Sequence, residues 1–456
     1  TDDFPNRRPS SSLRAMSTLR VIAPGSPDYQ ANIQELLNVL RSGGLLASAE
    51  KSSLDVPAIV RGILAQVERE GDEAAARLTA QLDRAQITPD TIRVPEAEIA
   101  RAQREADPQF IALMRKVISN IREYQEHIKH RDPAPLIRGG RKLGVRYTPI
   151  DRVGVYVPGG RALYPSTVLM TVVPAQVAGV REIVMASPPT GGRISDMALA
   201  LAGELGIREV LQLGGAVAVA AMAYGTQSIR SVHKVVGPGN AFLAEAKRQL
   251  FGRVGIDSVA GPSEVVVVAD EHAPAAWVAA DLLAQAEHDP GSAVLVTPSL
   301  KLAQAVAAEV DSQLARLSRS DAARSCIERY SAAVVTSDLD AACDLASDIA
   351  AEHLQIMTSD DAYCVKRIRH AGAIFVGTHT PVPLGDYFAG PSHVLPTGGT
   401  AKFFGPLSVN DFLKASSLIE YDAAALAADG GGVQDFAQRE GLTAHAAATA
   451  IRANEP

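Results

Sequence analysis

The stretch DLLAQAEHDPGSAVLVTP, residues 281–298, sets an amide and an imidazole where a helix runs out. At about 100° per residue, Asp281, Gln285 and His288 fall within roughly a 60° arc that also holds Val278 and adjoins Trp277. Asp289-Pro290-Gly291 then breaks the helix. Such a face is either a solvated polar stripe or a pair of donors converging on something bound at the helix end. A second place is AAEHLQIM, where Glu352 and His353 stand at the junction of a helix and a short strand. Adjacent residues do not face each other, so they approach one bound molecule from different directions. A carboxylate beside a histidine can divide acid/base work across two steps. An ordinary helix C-terminus, with His353 complementing the dipole, reads the same way.

The third place is HTPVPLGDYFAGPSHVLPTGGT, residues 379–400, stiffened by four prolines and four glycines and carrying Asp386 and His393. A loop of that length is often functional. The fourth is QREGLTAHAAATA. There Gly441 reads as a C′ stop, Thr443 as an N-cap and His445 as a first-turn residue of the final helix. The positive helix end favours a neutral His445 with a lone pair to offer, although a surface capping neighbour would look alike. Together Gln285, His288, Asp386 and His445 make a nitrogen and oxygen donor set without thiolate. That set suits an open catalytic zinc or manganese site rather than a closed structural zinc. They are distant in the chain, so only the fold can bring them together.

The elements that must do so change character along the chain. Residues 30–130 carry apolar positions at three and four, punctuated by Gly and Pro, and read as helices. Then VGVYVPGG, EIVMAS, EVLQLGG and KVVGPGN form short apolar runs, each followed by an Ala-rich helical stretch. After DSVAGPSE the rhythm restarts with VVVVAD, AVLVTP, AAVVTS and GAIFVGTH. Continuous apolar runs alternating with helices predict parallel sheets covered on both faces. Two series predict an α/β chain of two Rossmann-like, doubly wound lobes with a cleft between them, and a helical C-terminus. No G-x-G-x-x-G follows a strand. The Gly-rich turns Pro158-Gly159-Gly160, Gly214-Gly215 and Gly237-Pro238-Gly239-Asn240 open helix N-termini, where backbone N–H groups can hold a phosphate or simply turn the chain.

A length of 456 residues asks for more than one core. An apolar fraction of 47%, a charged fraction of 21% and a net charge of -7 describe an ordinary globular protein and disfavour nucleic acid as the main partner. No run of about 18 apolar residues exists to span a membrane. Cys326, Cys343 and Cys364 form neither a CxxC pair nor a disulfide framework, which suits a reducing, cytoplasmic setting. Residues 1–15 read as a disordered leader with Met16 as a candidate start. An organellar (plastid) transit remnant is the alternative, against which Asp2 and Asp3 count.

Several blocks resemble histidinol dehydrogenase. They are VGVYVPGGRALYPSTVLMTVVPAQVAGV, KVVGPGNAFLAEAKRQ, VAGPSEVVVVAD, DLLAQAEHDPGS, AAEHLQI, PLGDYFAGPSHVLPTGGTA and EGLTAHAAA. The resemblance runs in one consistent order from about residue 30 to the C-terminus. It implies a zinc-dependent, NAD-linked enzyme that oxidises L-histidinol through L-histidinal to L-histidine, closing histidine biosynthesis. It places one Zn2+ per subunit on Gln285, His288, Asp386 and a neighbouring subunit's His445, and the acid/base pair on Glu352 and His353. Substrate contacts fall on Ser263, Gln285, His288, His353, Asp386, His393, Glu440 and His445, and NAD contacts on Tyr156 and Asn240. The family usually has Gln at the position of Val217, another NAD contact. One lost polar contact costs about 0.5–1.5 kcal/mol and weakens rather than abolishes binding.

The same resemblance implies an intertwined homodimer with the active site completed in trans. Its expected parts are an N-terminal helical segment 16–51, a first lobe of 52–155 plus 263–407, a second, NAD-side lobe of 156–262, and a C-terminal arm 408–456. A paralogous dehydrogenase of another small alcohol and a zinc hydrolase are the rival readings.

Overall fold

The computed structural model describes residues 17–41, 54–159, 165–288 and 291–453; the expected leader 1–15 and residues 42–51 of the N-terminal segment lie outside them. Two parallel sheets organise the chain. The first has six strands in the order β1-β11-β10-β9-β12-β13. They are β1 (Val21–Ile22), β9 (Ser263–Ala269), β10 (Gly291–Thr297), β11 (Ala332–Val335), β12 (His353–Met357) and β13 (Ala373–Val376). The second has five, β6-β5-β4-β7-β8. These are β4 (Arg152–Tyr156), β5 (Glu182–Ala186), β6 (Glu209–Leu211), β7 (Lys234–Val236) and β8 (Gly255–Ile256). Leaving the edge strand β1 aside, both sheets follow the order third, second, first, fourth, fifth. Each therefore has a switch point beside its first strand: β4/β7 in one, β9/β12 in the other.

The apolar runs become strands because both of their faces are covered. In β9, Val265, Val267 and Ala269 pack toward Leu282 and Leu283 of helix α10 (Ala275–Ala286). The alternate residues Val266 and Val268 face Leu36 and Leu37 of α1 (Tyr29–Arg41) and Ala342 and Ala346 of α13 (Leu339–Ile349). The five-stranded sheet is sandwiched likewise. Val153, Val155 and Met185 share a core with α5 (Pro108–Ile128), α6 (Pro165–Ala178) and α7 (Asp196–Glu204). Tyr156, Val184 and Ala186 face α2 (Val56–Glu70), α3 (Asp72–Leu82), α8 (Gly215–Tyr224) and α9 (Ala241–Leu250). Helix α8, apolar all round, is buried from Ala216 to Ala223.

This packing corrects the expected grouping of 52–155 with 263–407. Helices α2, α3 and α5, together with α4 (Glu96–Glu105), lay their apolar stripes on the five-stranded lobe, and β4 lies at the middle of that lobe's sheet. Amphipathicity announces that a helix needs a sheet face, but not which sheet offers one. Of the expected 16–51 segment, residues 17–41 are likewise no separate unit, because β1 adds to β11 and α1 covers the six-stranded sheet. The chain's end is not all helix either. Strand β14 (Leu413–Tyr421) pairs antiparallel with β3 (Arg141–Pro149), which also pairs β2 (Leu136–Arg138). The helices α16 (Ala423–Arg439) and α17 (Thr443–Ala453) follow as a hairpin. Among the described residues no helix is long and apolar enough to cross a membrane.

Candidate active site

Polar side chains gather at the amino ends of the six-stranded sheet's central strands. Ser263 opens β9, His353 opens β12 with Glu352 just before it, and α10 delivers Gln285 from its last turn. The helix ends at Ala286 with Glu287 as its cap, so His288 lies just beyond it, exposed, as the break in the sequence suggested. Gln285, 3% exposed, donates its Nε2 to Ser263 Oγ at 2.6 Å. Ser263 Oγ in turn donates to Glu352 Oε2. That carboxylate oxygen also accepts the backbone N–H of Glu264 at 2.9 Å. His353, buried, sets Nδ1 against the carbonyl of Glu264 at 3.2 Å and Nε2 against Asp386 Oδ1 at 3.2 Å. Asp386 is not in an open loop: the proline-rich segment winds into the short helix α15 (Val382–Tyr387), which carries it.

The electrostatics follow from burial and close charges. Burial alone would lower His353, but the Glu352 charge and the Asp386 contact outweigh it and hold the imidazole up at about 10. Burial pushes Asp386 up, yet the His353 hydrogen bond and charge, with His393 and His288 nearby, hold it below its ordinary value. Burial pulls His393 down, so it stays neutral, and its Nε2 is shielded from solvent without a hydrogen-bond partner. Thus Ser263, Gln285, Glu352, His353 and Asp386 are joined by hydrogen bonds, and His288 and His393 lie close enough to act on Asp386. Glu440 and His445 are not brought in. They sit exposed on either side of the Gly441 turn, whose φ of 74° matches the expected C′ glycine. Thr443 is the first residue of α17 rather than its cap.

The donors present fit a borderline cation. With Gln285 Nε2 spent on Ser263, its Oε1 meets no protein donor among the described residues and is free to ligate. His288 offers imidazole nitrogen and Asp386 carboxylate oxygen, two further ligand types such an ion accepts. A different trio, Asp270, Glu271 and His272, is the set of acidic and imidazole groups among the described residues whose ligand atoms lie within 4.8 Å of one another. It stands at the opposite end of β9, and Asp270 is already occupied by the Ser359 N–H and hydroxyl at 2.7 and 2.6 Å.

Sequence reading missed Glu264. It is 2% exposed, and its Oε1 accepts the backbone N–H groups of Gly398 at 2.9 Å and Glu352 at 3.3 Å. Burial, with Glu352 beside it, raises it to about 8. The available signal was a lone charge in the fully apolar run SEVVVVA. A folded value above the ordinary 4.5 means a stabilising contribution complete below about pH 4.5 and lost as pH rises through about 8. Wild-type protein is therefore expected to lose melting temperature between pH 6 and 9 relative to Glu264→Gln, by an amount on the order of a few kcal/mol of stability. Parallel calorimetric pH profiles would refute this.

At the other lobe, Tyr156 ends β4 and Asn240 follows β7, flanking the β4/β7 switch point. Tyr156 Oη accepts the Gly215 N–H at 3.0 Å, bracing the start of α8. Asn240 caps α9 through its side-chain oxygen, leaving its exposed amide N–H groups free. Gly237 has φ of 119°, and a Cβ there would stand 2.2 Å from the Tyr156 carbonyl, so only glycine permits this approach. A cavity of about 310 Å³ adjoins the same edge, lined by Val157, Pro158, Ser187 and Arg193 among others. Val217 is different: it is 1% exposed inside the lobe's apolar core, so its side chain offers a dinucleotide neither a polar atom nor surface.

The profile of the histidinol dehydrogenase family matches residues 46–453. A histidinol dehydrogenase of Rhodopirellula baltica is 52% identical over 396 residues, covering 86% of each chain. One of Halalkalibacterium halodurans is 49% identical over 395 residues, covering 86% of this chain and 93% of that one. The crystal structure of histidinol dehydrogenase from Elizabethkingia anophelis superposes with a TM-score of 0.88 at 30% identity, covering 96% of this chain and 98% of that one. With fold and sequence agreeing over nearly the full length, the chain belongs to the histidinol dehydrogenase family.

Proposed function

We propose that this chain is a zinc-dependent, NAD-linked dehydrogenase that oxidises L-histidinol through L-histidinal to L-histidine, closing histidine biosynthesis. The observation that carries the reading is the linked Ser263–Glu352–His353–Asp386 cluster at the edge of the family fold. Gln285, His288 and Asp386, with His445 of a second subunit, would hold zinc. The metal, when bound, would supply an anchor for the substrate's amine and imidazole nitrogens, and two NAD molecules would each take up one hydride.

The side chains divide the proton work. Nδ1 of His353 donates to the Glu264 carbonyl, which leaves Nε2 as the nitrogen that takes the alcohol proton. Engaging the Asp386 charge in the donor set would remove one of the two carboxylate contacts that favour the protonated ring, the other being Glu352. The aldehyde then gains water across its carbonyl. Glu352 Oε2 is fixed by Ser263 and the Glu264 amide, so Oε1 is the oxygen left to take the water's proton. His353 Nε2 returns its proton to the carbonyl oxygen as the water adds, and is then free to accept a hydroxyl proton again as the second hydride departs. Ser263, His393 and Glu440 of the second subunit would orient the substrate, with the Glu440 carboxylate accepting its imidazole N–H. The cysteines take no part in this route: Cys326, Cys343 and Cys364 are all buried in the cores of the six-stranded lobe. Buried cysteines that form no disulfide fit a reducing, cytoplasmic setting.

The homodimer is proposed on what one chain leaves uncovered. Glu440 and His445 reach no site of their own chain, while Ile137, Ile419 and Phe436 are 71%, 75% and 66% exposed on the strands and helices that carry them. An apolar surface of this kind is what a partner subunit covers. NADH formation from L-histidinol, with and without a chelator, tests the whole reading; turnover unaffected by metal removal would sink the zinc assignment. Glu352→Gln keeps an acceptor for Ser263 and the Glu264 amide but removes the base. Aldehyde oxidation is expected to fall on the order of 10²-fold or more while alcohol oxidation changes little. Equal loss in both half-reactions, assayed separately from L-histidinol and L-histidinal, would count against the assignment.

A further inference from the structure

Glu264 is the ionisable residue in β9, a strand whose pairing with β10 and β12 needs no such side chain. Burying a carboxyl is unfavourable unless its oxygens are used. Here they are. Glu264 Oε1 accepts the backbone N–H of Glu352, and Glu352 Oε2 accepts the backbone N–H of Glu264, so each carboxyl holds the other's amide. The Glu264 carbonyl takes Nδ1 of His353, and its carboxyl also takes the Gly398 N–H. One residue thus ties together the start of β9, both members of the proposed acid/base pair and the turn that ends the Asp386–His393 segment. Nearby, Gly261 N–H reaches Thr397 Oγ1 at 2.5 Å, a second stitch between the same turn and the approach to β9.

We propose that Glu264 is a positioning residue for the reaction: its carboxyl fixes the backbone at Glu352, and thereby the direction in which the Glu352 carboxylate faces the hydrated carbonyl. This rests on the acid/base roles given above. The consequence is selective. Alcohol oxidation draws on His353, which is also anchored by Asp386, whereas water activation draws on Glu352, whose main chain hangs on Glu264.

The test compares Glu264→Ala and Glu264→Gln with wild type in the two half-reactions, with melting temperatures recorded alongside. Glu264→Ala is expected to lose kcat for L-histidinal oxidation by on the order of 10²-fold, with a several-fold smaller loss for L-histidinol oxidation. Glu264→Gln, which returns an acceptor to the same place, recovers most of that loss. If Glu264→Ala does not fold, Glu264→Met decides, since it fills the space without offering an acceptor. A lowered melting temperature with unchanged kcat in both half-reactions overturns the proposal, as does a Gln variant as impaired as the Ala variant. Glu352→Gln is assayed beside them. If it shows the aldehyde-selective loss and Glu264→Ala does not, positioning by Glu264 is wrong. If Glu352→Gln shows no such selectivity, the acid/base roles have failed and this proposal falls with them.

Discussion

His353→Ala lowers turnover of L-histidinol by on the order of 10²–10⁴-fold, the range for removal of a general base. The geometry explains why no neighbour can substitute. Glu352 Oε2 is already committed to Ser263 and the Glu264 amide, and Asp386 belongs to the proposed metal donors. Removing the imidazole also leaves the Glu264 carbonyl and Asp386 Oδ1 without their partner, so a stability loss of about 1–3 kcal/mol accompanies it. His353→Asn separates the two effects. Its amide N–H can still donate to the Glu264 carbonyl, which accepts Nδ1 in the wild type, but it has no basic nitrogen. Turnover should therefore stay low while much of the melting temperature returns. Progress curves of NADH formation and calorimetry on both variants check this, and a rate loss below tenfold in His353→Ala would remove the histidine from the proton path.

Mixing two inactive subunits is expected to restore activity. His353→Ala alone lacks its base, and His445→Ala alone lacks the donor it would present across the interface. Random pairing gives half hybrids, each holding one site with an intact His353 and an intact His445 from its partner. About one quarter of wild-type activity is then expected. Refolding or subunit exchange at equal concentrations, followed by the NADH assay, reads the result. No recovery would mean that each site is built from one chain, and the exposed placement of His445 would need another explanation.

Much of the architecture was legible because its signals are local. The apolar runs from VGVYVPGG to GAIFVGTH became the parallel strands, and the helix carrying Gln285 ends one residue before Glu287, as the Asp-Pro-Gly break implied. What stayed hidden was set by partners far away in the chain. The stripe on 56–70 shows that a face must be buried, yet the choice of the five-stranded lobe depends on α8 and α9. Strand β14, LKASSLIEY, has most of its residues exposed and owes its extended form to its long register with β3, so no core pattern marks it. The prolines and glycines of 379–400 read as a loop, and they hide the short helix that carries Asp386. Glu264 was passed over because a strand's opening charge usually points to water, and only the crossing of β9, β12 and the Gly398 turn encloses it.

The two lobes repeat one strand order yet do their work at opposite rims. In the five-stranded lobe the crevice beyond the strands' carboxyl ends stays open beside Tyr156 and Asn240. In the six-stranded lobe the matching crevice is bolted, because Asp270 at the exit of β9 grips Ser359 just past β12. The linked side chains of Ser263, Glu352, His353 and Asp386 lie at the far rim instead. A search for ligands guided by fold symmetry alone would knock at the wrong door, and mutational change around Asp270 should register as lost heat resistance with the reaction rate untouched.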